Sequence, residues 1–541
     1  MGPGDRVPIP VSVQIFTARR VIAMTDSDPE AFGCLGEWVV ATGSVAELRE
    51  RFPGAVVTDF GDAAVVPGLN DAHQHPTMVA EDLLQVDLSP ENVASPTEIA
   101  AALRERADST PPGEWVRGSR YDHTKSSGGT ILARSDLDEV SIEHPVLVVH
   151  VAGHWGAVNT PGLAAAGLTD DSEDPPGGEL GRDGSGRLNG ILYEQALFDL
   201  AYPAVARREP VVPPSGLEDR LRALGEYSRM LHAAGITSVG DALVGPDGLE
   251  LLQAAERRGE LSLRVNMLVA YPHFDHMCRL GLATDFGGAR LRLGGIKAFV
   301  DGAVAGGTCL LEEPYTGGGG HGIQTVTREE LTELVRRVHD AGSRVGVHAN
   351  GDRAINQLLD ALEAADEANP RPGARHRIEH CTVVDEKIVE RMRRLGLVAV
   401  PFGSYVAYHG DKLVGYYGME RLERMFAHRS LLDAGIAAAG SSDYPCGPYQ
   451  PLLALQSCVT RRAADGTVLG DSQRITPREA LALYTTGSAY ASGEEGIKGR
   501  LAPGHLADFV VLDEDPLAVD PNRLSGIGVR ETWVGAEQVW P

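Results

Sequence analysis

The chain has 541 residues, with 49 Lys and Arg against 75 Asp and Glu, and a formal net charge of −26. This acidic balance excludes the basic surface of a nucleic-acid-binding protein and would repel an anionic membrane. Hydrophobic residues make up 43% of the chain, which is enough for a large buried core and too many for a disordered protein.

The composition also bears on the compartment. The six cysteines lack the CxxC spacing of a disulfide framework or a Cys-type zinc finger, so we expect reduced thiols. There is no run of about 18 apolar residues that would predict a transmembrane helix. The segment 1–10 has no apolar core of the kind found in a signal peptide. The sequence therefore predicts a cytoplasmic protein with no nucleic-acid and no membrane partner.

Both ends of the chain contain short β-branched runs separated by turn residues, and such runs predict strands. The N-terminal runs are 11–17, 37–41, 55–59 and 63–66, and the C-terminal runs are 508–513 and 527–540. Because the two ends are alike in type, we predict one small β-sandwich, formed by residues 1–66 and 496–541 together.

Between these ends, in residues 67–495, apolar strand-like runs alternate with amphipathic helical stretches, as in the βα units of a parallel sheet. The predicted strands are 64–70, 236–242, 263–270, 294–300, 344–348, 375–380, 397–402 and 436–441. Predicted helices include 216–234, 327–341 and 353–366, and Thr327 with Glu330 forms a capping box for the second of these. Eight βα units predict an α/β fold of the (β/α)8 TIM-like barrel type.

The first two predicted barrel strands are separated by many more residues than the roughly 30 to 40 that a βα unit needs. We therefore predict an inserted subdomain at about 76–215, in the loop that follows strand one. Loops of this type lie at the C-terminal face of a barrel, where active sites form.

The first predicted strand leads into His73 and His75, within the sequence PGLNDAHQH at 67–75. Residues two apart on an extended strand face the same side, so both imidazoles can reach one metal ion. Such a pair is a weak signal by itself. Its place at the C-terminal end of a barrel strand strengthens the prediction of a metal site.

Other predicted strands also carry residues of the ligand type. His348 ends strand five, His380 ends strand six and Asp443 ends strand eight, with separations that fit the intervening βα units. Lys297 lies inside the apolar fourth strand, where burial disfavours the charged ammonium and lowers its pKa. A neutral amine can react with carbon dioxide to form a carbamate that bridges two cations. The alternative is an ion pair between Lys297 and Asp301 or a neighbouring acid.

Seven segments in this order resemble the amidohydrolase superfamily, in the large branch (amidohydrolase family 3) that includes N-substituted formamide deformylases. The segments are PGLNDAHQH at 67–75, GHWGAVNTPGLAAAGL at 153–168, IKAFVDGAVAGGT at 296–308, VHANGDRAI at 347–355, RIEH at 377–380, GSSDYP at 440–445 and GRLAPGHLADFVVLDEDP at 499–516. Together they span nearly the whole chain, and their order makes the resemblance specific. It implies a (β/α)8 barrel with a β-sandwich and a hydrolytic centre of one or two metal ions.

The resemblance also implies roles for particular residues. The implied metal ligands are His73, His75, Lys297, His348, His380 and Asp443. The first two histidines would bind the more buried ion and the other two the more exposed ion, and Lys297, if carboxylated, would bridge both. Asp443 would contact the buried ion and act as the catalytic residue that accepts a proton from the attacking water. Zinc is the default divalent cation for this ligand set, with iron and manganese as alternatives.

Candidate substrate contacts come from the insertion and from strand four. They are His154, Trp155, Tyr121 and Asp301. The resemblance implies that the first two cover the site, and a purely structural histidine is the alternative for His154. Tyr121 would form another pocket edge, with a surface loop as the alternative. Asp301 shares a strand face with Lys297 and would orient ligands. Arg377 and Glu379 share one face of strand six and predict an internal ion pair.

We therefore hypothesise a metal-dependent hydrolase that cuts a non-peptide C–N bond in a small-molecule amide of the N-acyl or N-formyl type. A divalent cation lowers the pKa of a bound water from about 15.7 toward about 7, which generates the nucleophile. One alternative is a mononuclear-metal deaminase of the same superfamily, which would not need Lys297. Another is a catalytically silent barrel that binds a ligand or a regulatory partner. The substrate and the number of ions stay open, and a homodimer is compatible with the sequence.

Overall fold

The computed structural model describes residues 12–316 and 318–541. The segment 1–10, considered above as a signal peptide, and residue 11 of the first predicted strand lie outside the described residues. In chain order the strands are β1 (Gln14–Thr17), β2 (Arg20–Val21), β3 (Ala31–Leu35), β4 (Trp38–Gly43), β5 (Val56–Asp59), β6 (Ala64–Pro67), β7 (Leu69–Gln74), β8 (Val86–Asp87), β9 (Val116–Tyr121), β10 (Val146–His150), β11 (Trp155–Val158), β12 (Gly178–Arg182), β13 (Leu188–Glu194), β14 (Ile236–Val244), β15 (Arg264–Ala270), β16 (Leu291–Phe299), β17 (Val345–Ala349), β18 (Arg377–His380), β19 (Val398–Pro401), β20 (Ala437–Ala438), β21 (Phe509–Leu512), β22 (Val529–Val534) and β23 (Glu537–Trp540).

The helices lie mostly between the strands of the middle region. They are α1 (Val45–Arg51), α2 (Pro76–Asp82), α3 (Pro96–Ser109), α4 (His123–Ser126), α5 (Arg134–Asp138), α6 (Thr160–Ala165), α7 (Gln195–Ala201), α8 (Leu217–Ala233), α9 (Pro246–Arg258), α10 (Phe274–Leu280), α11 (Arg328–Asp340), α12 (Asp352–Ala368), α13 (Glu386–Leu395), α14 (Tyr405–Leu422), α15 (His428–Asp433), α16 (Pro451–Thr460), α17 (Pro477–Ala482) and α18 (Ser488–Ser492). The three predicted helices are confirmed as α8, α11 and α12. The capping box of α11 is also confirmed, because the Thr327 and Glu330 side chains each accept a hydrogen bond from the other residue's backbone N–H. Among the described residues, no helix has the length and apolar character needed to cross a membrane.

Eight parallel strands form the central sheet, in the order β7-β14-β15-β16-β17-β18-β19-β20. Strand β7 at one end of the sheet meets the segment that follows β20 at the other end: Ala72 N donates to Gly440 O at 3.0 Å, and Asp443 N donates to His73 O at 2.9 Å. All nine residues of β14 are buried, as expected for a parallel strand covered on both faces. The fold is therefore α/β, and its curled sheet has the form of a TIM-like barrel.

The first barrel strand differs from the prediction. The run 64–70 was expected to be one strand, but it divides at Gly68 into β6 and β7, which belong to different sheets. Gly68 N donates to Asp508 O at 2.8 Å, whereas Leu69 N donates to Gly235 O at 3.1 Å. A Cβ at Gly68 would lie 2.2 Å from Thr237 Oγ1, so only glycine fits where the chain passes from one sheet to the other.

Strands from the two chain ends meet in one sheet of order β2-β6-β21-β22-β23, and a four-stranded sheet of order β4-β3-β1-β5 lies beside it. Aromatic rings join the two sheets: the ring of Phe509 in β21 lies 4.9 Å from that of Phe16 in β1 and 5.2 Å from that of Phe32 in β3. These rings are completely buried and form the core between the sheets.

The long segment between β7 and β14 contains its own six-stranded sheet, of order β12-β13-β11-β10-β9-β8. The ends of three of its strands contribute residues to the region above the barrel. Arg120 near the end of β9 and His150 at the end of β10 line a cavity together with barrel residues. Glu194 ends β13 and reaches His154 in the same region. The segment therefore helps to form the C-terminal face of the barrel.

Candidate active site

The six predicted metal ligands lie together at the C-terminal ends of the barrel strands. They are His73 in β7, His75 directly after it, Lys297 in β16, His348 in β17, His380 at the end of β18 and Asp443 after β20. All six are buried. The imidazole of His380 lies between two others, with ring centres 4.6 Å from that of His73 and 4.5 Å from that of His348. Strands more than 300 residues apart in the chain thus bring these side chains to one place.

Three of these residues form the tightest cluster. Asp443 Oδ1 lies 3.0 Å from His75 Nε2 and 3.4 Å from His73 Nε2. One possible ligand atom from each of the three residues lies within 4.8 Å of the others. Lys297 Nζ is 3.5 Å from His73 Nε2. Two imidazoles, a carboxylate and an amine therefore converge on a small volume.

A buried carboxylate fixes the orientation of His73. The Nδ1–H of His73 donates to Glu379 Oε2 at 2.5 Å, and Glu379 also accepts two hydrogen bonds from the Arg377 guanidinium. Because a carboxylate only accepts, the proton of the neutral imidazole is on Nδ1 and the lone pair on Nε2 faces Asp443 and Lys297. A carboxylate behind a histidine is the arrangement that typically orients a metal-binding imidazole. The predicted ion pair between Arg377 and Glu379 is confirmed at 2.6 Å.

The other histidines also fit a metal centre. His348 Nε2 lies 3.0 Å from Gly302 O and 3.0 Å from the Asn350 amide nitrogen, and these contacts hold the ring at the end of β17. The Nδ1 atoms of His75 and His380 are buried and have no hydrogen-bond partner in the described protein. Buried polar atoms without partners are rare and often mark a missing ion or water. The residues at this site therefore fit a bound divalent cation.

The protonation states of the site also suit ligands of a cation. Burial lowers the pKa of His75 to about 4 and holds the pKa values of His348 and His380 well below their ordinary value, so these rings are neutral at pH 7. Burial also lowers the pKa of Lys297 to about 8. Burial opposes ionisation of Asp443, but its contacts with the surrounding imidazoles hold its pKa well below the ordinary range. Neutral imidazoles and an ionised carboxylate are the forms that bind metals.

The backbone around the site is strained at five residues that are not glycine. Arg120, Glu194, His380, Cys381 and Asp443 have φ angles of 65°, 49°, 71°, 44° and 54°. Left-handed backbone of this kind costs an L-residue of order 1–3 kcal/mol and is concentrated at functional sites. Part of the backbone strain in the described protein therefore lies at the candidate ligands and at the insertion residues that face them.

Comparison with known proteins agrees with this geometry. A family model described as the amidohydrolase family matches residues 56–540. The chain belongs to the amidohydrolase family. The match covers the barrel, the insertion and the C-terminal strands.

Individual relatives of this amidohydrolase cover nearly the same length. It is 31% identical to the YtcJ protein of Bacillus subtilis strain 168 over 93% of this chain and 94% of that one. It is 29% identical to the N-substituted formamide deformylase of Arthrobacter pascens over 95% of each chain. Among solved structures, an uncharacterized metal-dependent hydrolase from Pyrococcus horikoshii OT3 superposes with a TM-score of 0.75 and 25% identity, covering 94% of this chain and 99% of that one.

A cavity opens above the candidate ligands, with a space of about 600 Å³ when the part open to solvent is included, and we call it the metal-side cavity. Its lining includes His75, Lys297, His348, His380, Asp443, Asp82, Arg120, His150, His154, Phe198, Tyr202, Leu243, Phe299 and Cys446. His154 is held by Glu194, whose Oε2 accepts from its Nδ1 at 2.6 Å. Burial opposes protonation of His154, but the Glu194 carboxylate outweighs it and raises the pKa of the ring.

The other three predicted substrate contacts are not brought to the lining of this cavity. Tyr121 is completely buried and its hydroxyl donates to Thr130 O at 3.0 Å, so the surface-loop alternative is wrong for this residue. Trp155 stacks on His150 with ring centres 4.2 Å apart. Asp301 accepts backbone N–H groups of Leu310, Asn350 and Gly351, which ties the end of β16 to that of β17. These three residues therefore pack around the site instead of lining the metal-side cavity.

A second group of ligand-type side chains, Asp122, His123 and His150, lies in the insertion. Its hydrogen bonds are satisfied without an ion. Asp122 pairs with Lys412 at 3.0 Å. His150 Nδ1 accepts from Ala152 N–H, so its Nε2 carries the proton and donates to His123 Nδ1 at 3.3 Å. We interpret this group as a structural network that joins the insertion to α14.

The sequence did not identify Glu379 as the partner of His73, or Glu194 as the partner of His154. Glu379 carries one signal that could have found it: like Arg377, it alternates with the apolar Ile378, so the two charged residues share the interior face of the barrel strand. Glu194 gives a weaker signal, a lone acid at the end of an apolar run. Arg120 and Tyr202 reach the cavity only through the fold of the insertion, which the sequence pattern does not reveal.

Proposed function

We propose that this protein is a metal-dependent hydrolase that cuts a non-peptide C–N bond in a small-molecule amide of the N-acyl or N-formyl type. The observation that carries the proposal is the convergence of six ligand-type side chains at the barrel's C-terminal face, with His73 oriented by the buried Glu379. The Arthrobacter pascens relative, described as an N-substituted formamide deformylase, supports the bond type. The net charge does not constrain the substrate, because cations would set the local field.

The proposed ligands fall into two groups. His73, His75 and Asp443 would hold one ion, and His348 and His380 would hold a second. A carboxylated Lys297 would be shared by both ions. Zinc is the proposed metal, because imidazole and carboxylate ligands suit it. A bound divalent cation supplies Lewis acidity, which makes water nucleophilic near neutral pH and polarises a carbonyl.

Lys297 is suited to carboxylation. It is 1% exposed, and burial lowers the pKa of its amine to about 8, so a neutral fraction is available near pH 7. The alternative interpretation is an ion pair with Asp301 or a neighbouring acid, but among the described residues Lys297 forms no ion pair, and Asp301 lies 3.7 Å from His348 Nε2. Attack of the neutral amine on carbon dioxide forms an N–C bond and releases one proton, giving a carbamate.

The remaining chemistry belongs to Asp443 and His154. Asp443 is ionised and lies at the centre of the cluster, so it can accept a proton from the attacking water and then deliver it to the leaving nitrogen. The amide and water thereby give a carboxylic acid and an amine. His154 lines the same cavity and is fixed by Glu194, and we assign it to contact with the substrate.

We also propose the domain division 1–66, 67–495 and 496–541, with the insertion at about 76–215. In this division the two end segments form one sandwich and the insertion forms a subdomain over the barrel. Its support is that β6 pairs with β21 and that β8 to β13 form their own sheet. A cytoplasmic location and a homodimer stay predictions.

One experiment separates the proposed activity from its alternatives. Purified protein loaded with Zn²⁺ is assayed against N-formyl and N-acyl amides, esters and aminated heterocycles, and the metal content of wild-type protein and Lys297→Ala is counted. We expect amide turnover, together with a loss of bound metal and activity in Lys297→Ala. Release of ammonia from heterocycles, with one ion and full activity in the variant, would instead identify a mononuclear deaminase. Metal-loaded protein that turns over nothing would favour the silent ligand-binding barrel.

A further inference from the structure

A second cavity, which we call the side cavity, adjoins the metal-side cavity. Five residues border both: Met78, Asp82, Val149, Tyr202 and Leu243. The side cavity lies between α2, the insertion and the end of β14, and its space is about 770 Å³ when the part open to solvent is included.

The surface of the side cavity is largely apolar. Leu147, Val212 and Leu243 are buried and belong to one hydrophobic cluster, against which Met78 and Val149 pack while partly exposed. Binding is favourable when an apolar group displaces water from a cavity bounded by such side chains, because apolar surface is removed from water. The side cavity thus favours an apolar ligand.

The charged residues around the side cavity neutralise one another. Arg117 pairs with Glu81 at 2.6 Å, and Arg220 lies 3.6 Å from Asp247. Burial raises the pKa of Asp82 to about 7, so about half of these carboxyls are uncharged at pH 7. Among the described residues that line it, the side cavity therefore offers no unpaired cation to a charged ligand.

Tyr202 marks the junction of the two cavities. Its hydroxyl lies beside Gly153, which lines the metal-side cavity. A Cβ placed on Gly153 would be 3.9 Å from this hydroxyl and 3.9 Å from Cys446 Sγ. Cys446 in turn follows Asp443 in the same loop and lines the metal-side cavity. One molecule bound next to Asp443 in the metal-side cavity can thus extend past Tyr202 and Leu243 into the side cavity.

Resting on the amide hydrolysis proposed above, we propose that the side cavity binds a neutral alkyl chain of the substrate while the scissile C–N bond lies in the metal-side cavity. The substrate class is then an amide with a long uncharged apolar substituent, and Leu243 and Met78 determine specificity for it. A substrate chain that ends in a carboxylate is disfavoured, because the side cavity has no free cation to pair with it.

The test compares four amides on metal-loaded enzyme: N-methylacetamide, N-methyloctanamide, N-octylacetamide, and the octanamide analogue whose chain ends in a carboxylate. We expect N-methyloctanamide or N-octylacetamide, here called the octyl amides, to have a kcat/KM about tenfold or more above that of N-methylacetamide, since even one methylene bound in an apolar pocket contributes roughly 10-fold. We expect the carboxylate analogue to lose this advantage. Equal kcat/KM values for all four amides would overturn the inference.

Variants locate the effect in the side cavity. Leu243→Trp fills the cavity, and we expect it to lower the kcat/KM ratio of the preferred octyl amide to N-methylacetamide about tenfold. Met78 is only partly buried, so Met78→Trp carries the same test if Leu243→Trp does not fold. Leu280→Trp is the matched control, because Leu280 is 74% exposed and outside both cavities. An unchanged ratio in folded Leu243→Trp or Met78→Trp would contradict the proposal.

A binding measurement separates this inference from the proposed activity. N-methyloctanamide and N-octylacetamide are titrated by calorimetry into Asp443→Asn, with and without Leu243→Trp. Binding that needs the open side cavity, without turnover by the wild type, would support the side cavity and refute amide hydrolysis. Turnover of amides with no dependence on chain length would support amide hydrolysis and refute the side cavity. Absence of both chain-dependent binding and chain-dependent turnover would also overturn the inference.

Discussion

Replacing Glu379 with Gln tests how the fold prepares His73 for metal binding. The carboxylate of Glu379 accepts from His73 Nδ1 at 2.5 Å and pairs with Arg377 at 2.6 Å, and all three residues are at most 1% exposed. The amide of Gln has nearly the same shape. It can donate as well as accept, so it no longer fixes the proton of His73 on Nδ1, and it leaves the Arg377 guanidinium without a charged partner.

Two separate losses follow from this substitution. Removing one partner of a buried ion pair costs about 3–5 kcal/mol of unfolding free energy. Loss of the group that orients a metal-binding histidine lowers metal affinity by roughly 10- to 100-fold. Denaturant unfolding measures the first loss, and competition with a chelator of known zinc affinity measures the second.

The double variant Arg377→Met/Glu379→Gln separates the two losses. It removes the unpaired guanidinium, so we expect it to regain much of the unfolding free energy while metal affinity stays low. Glu333→Gln is the control, because Glu333 forms an exposed pair with Arg336, and exposed pairs contribute little to stability. If Glu379→Gln folds and keeps the zinc affinity of the wild type, the carboxylate does not orient His73 for metal binding.

Three further predictions concern the site and the fold. Asp443→Asn should lower kcat by about 10²- to 10⁴-fold, because the proton acceptor is lost, and steady-state kinetics on zinc-loaded protein checks this; a loss below tenfold would exclude Asp443 as the proton acceptor. Gly68→Ala should lower the unfolding free energy by about 1–3 kcal/mol, because its Cβ would overlap Thr237, and a denaturation midpoint equal to the wild type's would contradict the description of this crossing. Burial lowers the pKa of His232 from 6.5 to about 4, so the folded state favours the neutral ring. The contribution of this histidine to the unfolding free energy is therefore complete above pH 6.5 and declines as the pH falls toward 4. The pKa values differ by about 2.5, so the wild type should lose up to about 3 kcal/mol more than His232→Asn across this pH range, and parallel stability curves would refute the assignment.

The barrel strands could be predicted because a parallel strand covered on both faces reads as a continuous apolar run, as β14 does. The same rule failed at Gly68, where the run AVVPGLN is continuous in composition but divided in space. Hydrogen bonds to Asp508 and Gly235 decide that division, and neither residue is near it in the chain. Local pattern thus predicted the number of strands better than their boundaries.

The candidate ligands were recognisable because five of them end or follow a predicted strand and Lys297 lies inside one. Their supporting contacts were not, since His73 and Glu379 are 306 residues apart in the chain. The left-handed backbone at His380 and Asp443 also has no sequence signal, because neither residue type favours that conformation strongly enough. The arrangement of the insertion above the barrel depends on its own sheet, whose strand order the sequence does not specify.

The central claim, that metal held by these side chains carries out amide hydrolysis, is tested most directly by measuring metal content and amide turnover on one sample. The protein is measured as purified, after removal of metal with a chelator, and after addition of Zn²⁺. We predict one or two ions per chain, loss of turnover with the ions, and recovery with zinc in the wild type but not in a variant with both His73→Asn and His75→Asn. Undiminished turnover by metal-free protein would contradict the account.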